Sequence, residues 1–195
     1  MKAIVLAAIA ATASLGLAAS ASAAGAVTGM VTLTGSVPPQ CSVSTDVPGT
    51  LLFTANVNLG DIADANGHLL SSLATSTNSS APVATFQVNC TGSHNTATLS
   101  ATPLAISPAP APQPSYSSSV SYTAEADYAA VGGTVTQTQL SNGVTSTPTT
   151  AFEFANTSAN LAIKAYAFDD GDNAVNLLDA GSYQGVITVI ITPGA

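Results

Sequence analysis

The chain has 195 residues, a formal net charge of −8, and only two basic residues, Lys2 and Lys164, with neither arginine nor tryptophan. Nothing is available to neutralise phosphates, which argues against a nucleic-acid partner and against a polybasic attachment to anionic lipid. Low charge with abundant Ser, Thr, Ala and Val describes a β-rich surface kept soluble by hydroxyls, and the acidic excess opposes self-precipitation.

Met1 and Lys2 form a minimal basic start, and residues 4–17 are a largely apolar run of Ala, Ile, Val and Leu. Ala19-Ser20-Ala21 and Ala21-Ser22-Ala23 both satisfy the small-x-small rule, so residues 1–23 read as a signal peptide cleaved after Ala23 or Ala21. The other reading is a membrane anchor, against which the run is short and no basic stop-transfer cluster follows. Cleavage leaves about 170 residues, the size of one all-β domain, with Lys164 as the one base. No later segment is long and apolar enough to span a bilayer, so the mature chain is expected to be exported and to carry no transmembrane segment.

From Val27 the odd positions Gly29, Val31, Leu33, Gly35 and Val37 form one stripe of apolar and glycine residues, which predicts a strand up to Pro38-Pro39. Cys41 follows. Residues 51–60 are the next strand candidate, and 61–81, polar and turn-rich, read as a loop. Val83-Ala84-Thr85-Phe86-Gln87-Val88-Asn89 alternates into Cys90, and residues 97–101 are expected to hairpin back on that strand.

The two cysteines therefore each close an alternating stretch. In an exported chain they form a disulfide, and with only two the pairing is forced if the bridge is intramolecular. The alternative, a metal-binding or catalytic thiol, has no second ligand cluster to support it.

Pro103, Pro108, Pro110, Pro112 and Pro114 mark residues 103–114 as an extended, polyproline-like excursion, read as a long exposed loop of one domain rather than a linker between two, since neither side looks self-sufficient. Residues 119–128 alternate again. Residues 131–150 read as two short strands about Asn142-Gly143, a hairpin dipeptide. Residues 151–155 and 161–168 are strands, Asp169-Asp170-Gly171-Asp172-Asn173 is a turn, and residues 186–192 are a last β-branched run. No stretch has capped helical periodicity, so the fold class is an all-β sandwich.

Catalytic constellations are weak. His68 and His94 lie in Gly/Asn/Ser surroundings, no Gly-x-Ser-x-Gly elbow occurs, and no carboxylate is placed to orient a histidine, so no catalytic residue, cofactor or resident metal is assigned. The turn at residues 169–173 offers several hard oxygens for calcium but lacks EF-hand spacing and its terminal glutamate, and a solvated hairpin tip is the favoured reading. Glu125 and Asp127 share the outer face of a strand whose inner face is Tyr122, Ala124, Ala126 and Tyr128, which is ordinary alternation rather than an acid/base pair.

Taken in order, the alternating N-terminal tail before Gly35-Ser36-Val37, Cys41, Val57-Asn58-Leu59-Gly60, Phe86-Gln87-Val88-Asn89-Cys90 and Ala180-Gly181-Ser182-Tyr183-Gln184-Gly185 before a β-branched terminal strand resemble subunits of chaperone–usher pili. The similarity is to the archaic, spore-coat-protein-U-like branch, and it covers both ends and the first third of the chain. The resemblance implies an immunoglobulin-like β-sandwich that lacks its last strand and is completed by donor-strand exchange. Residues 24–40 would be the donor extension with the first strand, and residues 41–195 the pilin-like domain with its proline-rich loop at 103–114.

Val27, Gly29, Val31 and Leu33 would be the donor residues. Gly181, Tyr183, Val186, Ile187, Val189, Ile190 and Ile191 would form the acceptor groove and chaperone edge, with Ile187, Val189 and Ile191 on one face and Val186 and Ile190 on the other. The implied partners are identical or related pilins, a periplasmic chaperone and an outer-membrane usher. The implied role is a surface fimbria that supports adhesion or biofilm formation. A family subunit often ends on an aromatic, whereas this chain ends Thr192-Pro193-Gly194-Ala195. The rival reading is a self-complete secreted β-sandwich binding module, whose first and last strands simply pair.

Overall fold

A computed structural model describes residues 30, 32–44, 52–81, 83–171 and 176–194. The chain divides into two units, Met1–Gly35 and Ser36–Ala195. In the first, Met30 and residues 32–35 are exposed and join no ladder; residues 1–23, read above as a signal peptide, and Val27, Gly29 and Val31 lie outside the described residues. Regular structure among the described residues belongs to the second unit. Its elements are β1 (Cys41–Val43), α1 (Ser71–Ala74), β2 (Val83–Phe86), β3 (Val88–Cys90), β4 (Thr96–Ala101), β5 (Leu104–Ile106), β6 (Tyr116–Ser117), β7 (Ser119–Ala130), β8 (Gly133–Leu140), β9 (Leu161–Asp169), β10 (Leu177–Leu178), β11 (Tyr183–Gln184) and β12 (Ile187–Thr192).

The largest sheet runs β11-β5-β7-β9-β2, with β8 also paired to β7. β4 pairs with β12 and β1 with β3, all antiparallel, while β6 and β10 form a short parallel pair. One apolar cluster joins these pieces. Val120, Tyr122, Ala124, Ala126 and Tyr128 line the inner face of β7, and Ala97, Leu99 and Ala101 line that of β4. This is the alternation read from the sequence: small alanines between aromatics let the facing strands approach closely. Burial pushes the Tyr122 hydroxyl up to about 12.

The alternating segment 83–90 forms two strands rather than one. It breaks at Gln87, so that β2 pairs with β9 and β3 with β1. Asn160, 1% exposed, makes the change of partner possible. Its Oδ1 accepts the Val88 N–H at 2.7 Å, and its Nδ2 donates to the carbonyls of Val88 at 2.7 Å and Ala155 at 2.9 Å. A side-chain amide here stands in for a neighbouring strand. Replacing Asn160 by Ala strands buried backbone groups and is expected to cost about 2 kcal/mol in urea denaturation.

Several sequence expectations are corrected. Residues 32–40 and 52–60 form no strand, because among the described residues no ladder partner lies beside them; near Cys41 the backbone bonds only to Thr91, at Pro38 and Gln40. In the second stretch only Phe53 and Leu59 are half-buried, Phe53 lying 4.6 Å from the Phe86 ring. β4 pairs with β12, not with β3. The loop at 61–81 carries the single turn α1 and sends Leu69 into the core.

The hairpin expected at Asn142-Gly143 instead turns at residues 131–132, joining β7 to β8. Gly143, at φ +77°, bends the chain onto the neighbouring β4. Residues 151–155 form isolated bridges through Phe152 and Phe154 rather than a strand, and both rings are buried against Tyr128. The proline-rich segment is exposed without a ladder at residues 107–115, as expected, although its beginning forms β5.

Candidate functional site

A β-branched run ending at Pro193 builds β12, and the partner strand decides which of its backbone groups are satisfied. Ala97, Leu99 and Ala101 turn their carbonyls away from β12, toward residues 143–149. They accept N–H groups from Thr149 at 2.9 Å, Ser146 at 2.8 Å and Gly143 at 2.8 Å. Thr96, Thr98 and Ser100 therefore face β12, opposite Thr192, Ile190 and Thr188. The bond from Thr102 N–H to the Val186 carbonyl, 2.9 Å, continues the same phase.

The N–H and C=O groups of Ile187, Val189 and Ile191 consequently point away from β4. Among the described residues they have no partner. The same three residues send their side chains toward the core cluster, where they are only half-buried. Ile190 and Val186 lie on the opposite face, 57% and 53% exposed. An unpaired edge and an incompletely covered apolar face thus coincide on three residues. Such an edge accepts an added strand, its backbone supplying hydrogen bonds and its alternate side chains the register.

The end of β12 is anchored by backbone contact. Gly194 N–H donates to Asn95 Oδ1 at 3.4 Å, and a side chain at Gly194 would collide with the His94 carbonyl. Asn95, fully buried, also donates to the Gly92 and Phe152 carbonyls at 2.7 and 3.2 Å. At the other end Gly185 lies against the Thr102 carbonyl, where a Cβ would come within 2.9 Å.

Of the residues assigned to an acceptor edge, Ile187, Val189 and Ile191 lie together on that edge. Val186 and Ile190 flank it on the outer face. Gly181 and Tyr183 belong elsewhere. Tyr183 sits in β11 against β5, its hydroxyl 2.9 Å from the Ser117 carbonyl and 3.0 Å from that of Asp179, and Gly181 packs against Ile106. Of the donor residues, Leu33 is 91% exposed, and Val27, Gly29 and Val31 lie outside the described residues. Cys41 and Cys90 form a disulfide between directly opposed residues of β1 and β3.

Glu125 is not on a solvated outer face; it is buried, 3% exposed. Lys164, directly across the ladder on β9, donates to Glu125 Oε1 at 3.1 Å and to Asp127 Oδ2 at 2.6 Å. Tyr166 donates to Glu125 Oε2 at 2.9 Å, and Thr136 to Asp127 Oδ1 at 2.6 Å. Burial resists ionisation of Asp127, yet the Lys164 and Thr136 hydrogen bonds outweigh it and hold the carboxyl below its ordinary value. The Asp127 bond raises Lys164 in turn. Sequence reading missed this cluster, because Lys164 meets the two carboxylates only through the β7–β9 pairing, which alternation does not reveal.

His68 Nδ1 donates to the Asn176 carbonyl at 2.8 Å, a structural tie between loops. In the acidic turn, Gly171 N–H donates to Asp169 Oδ1 at 2.8 Å, and Asp172 and Asn173 lie outside the described residues. Among the described residues no group of three or more His, Cys, Asp or Glu could hold a metal ion, and no helix is long and apolar enough to cross a membrane. No protein family, curated protein or solved structure matches the chain.

Proposed function

We propose that the chain is a structural subunit of a surface fimbria, polymerising by donor-strand complementation and supporting adhesion or biofilm formation. The observation that carries this reading is the open edge of β12, whose half-buried Ile187, Val189 and Ile191 lack a covering strand among the described residues. Connectivity supports it. An immunoglobulin-type sandwich pairs its strands A-B-E-D in one sheet and C-F-G in the other. Here β1 pairs with β3, β2 with β9, β9 with β7, and β4 with β12. These pairings follow A-B, B-E, E-D and C-F, with the change of partner at Gln87 splitting B. The position beside β12 is where strand G would lie.

On this reading residues 25–33 of the next copy fill that position, with Val27, Gly29, Val31 and Leu33 as the alternate residues set against the groove. Before assembly a periplasmic chaperone covers the edge, and an outer-membrane usher receives the subunit. The test compares the mature chain with a variant lacking residues 25–33, by size exclusion and electron microscopy. The expected result is polymers from the first and, from the second, a monomer that captures an added peptide of residues 25–33. Two stable monomers deaf to that peptide would instead support a self-complete secreted β-sandwich binding module.

A further inference from the structure

The molecule has a second open edge. The hairpin turn at residues 131–132 closes on the pair Ala130 and Gly133, which sets the ladder phase. Val135, Gln137 and Gln139 turn their backbone to β7. The N–H and C=O groups of Thr134, Thr136 and Thr138 therefore point outward, with no partner among the described residues. β12 lies on the far side of β4 from this edge, because Gln137 Nε2 reaches the carbonyls of Ala97, at 3.4 Å, and Thr147, at 2.7 Å.

Exposed edges are ordinarily blunted by lysine, proline or a bulge. β8 has none of these. It is an eight-residue strand, Gly133–Leu140, regularly paired, with neither charge nor proline, and alternates Thr with Val or Gln. A chain of net charge −8 repels its own copies over most of its surface, whereas β8 itself carries no charge and the two carboxylates across from it on β7, Glu125 and Asp127, are paired with Lys164.

We infer that β8 is a lateral docking edge for a second copy of this chain, pairing antiparallel with the same strand about a dyad at Thr136. That register sets Thr134 of one copy opposite Thr138 of the other, giving three threonine pairs on one face. One such edge buries far less than the ~1,000 Å² of a stable interface, so the contact is weak between single molecules. It gains strength by repetition when copies are strung in two neighbouring filaments. In that respect alone the inference rests on the proposed polymer.

The test uses the mature chain and two double variants. Thr134→Lys with Thr138→Lys places like charges opposite each other, and Thr138→Lys with Thr134→Glu places opposite charges there while setting the new carboxylate across from Ala129 rather than Glu125. Filament length and lateral bundling are read separately by electron microscopy. The expected result is unchanged filaments throughout, with bundles lost in the Lys/Lys variant and kept in the Lys/Glu variant. Bundling in the Lys/Lys variant equal to that of the parent overturns the inference, as does its equal loss in both variants. If no filaments form, the polymer reading has failed, and sedimentation of the same proteins at high concentration reads the edge directly. A weak dimer lost only in the Lys/Lys variant supports the pairing; three strict monomers overturn it.

Discussion

Replacing Cys41 and Cys90 together by serine is expected to lower stability by about 4 kcal/mol and the midpoint of thermal unfolding by roughly 8–16 °C. The first figure is the chain entropy released when a loop spanning 49 residues is opened. The loss falls unevenly. β1 is a three-residue ladder, and beyond it the arm is held by little else. Thr91 N–H donates to the Gln40 carbonyl and Thr91 Oγ1 to that of Pro38, both at 2.9 Å, and Ser44 N–H donates to the Gln87 carbonyl at 2.8 Å. Without the bridge these few bonds must restrain the arm that leads from the proposed donor residues into the domain. Hydrogen exchange should therefore rise first at Ser42 and Ser44, whose N–H groups face β3, while the β7–β9 ladder stays protected. Reduction of the unaltered protein should reproduce the shift; a change below about 1 kcal/mol in both experiments would mean the unfolded chain is not constrained by the bridge.

Strands that turn one face to the core and the other outward were legible from residues alone. The inner face of β7 is the plainest case, and the split of β12 into Ile187, Val189 and Ile191 against Val186 and Ile190 is another. Pairing partners were not legible, because period-two patterning says which face a residue takes and nothing about which strand lies alongside. Thus residues 97–101 were expected beside the preceding strand, and they lie beside β12 instead. Asn142-Gly143 has the right turn chemistry, yet a two-residue connection one strand earlier had already closed the hairpin. The buried amides of Asn95 and Asn160 were invisible for a related reason. Polar residues read as surface until the strand ends they satisfy are known. Glu125 failed in the same way, since alternation placed it outside and only the cross-strand position of Lys164 explains its burial.

That ion cluster gives the second large effect. Lys164→Met keeps most of the side-chain stem and removes the charge, leaving buried Glu125 beside Asp127 with no cation. The expected loss at neutral pH is about 3 kcal/mol, toward the low end for breaking a buried pair because Lys164 and Asp127 retain part of their contact with water. Tyr166 still donates to Glu125, which limits the damage. The pH dependence has a definite sign. Asp127 is held below its ordinary value of 3.8, so its contribution is present above that value and is lost as pH falls through the depressed one. Lys164 is raised above 10.5, so its contribution is complete below that pH and is lost as pH rises through the raised value. The cluster therefore adds a stability plateau between those limits, and Lys164→Met should flatten both shoulders while lowering the middle. Adding Glu125→Gln to Lys164→Met should recover part of the loss, because no buried charge is then left uncompensated. Parallel stability curves for parent and variant across that range, or strictly additive losses in the double variant, would show that the three charges act independently.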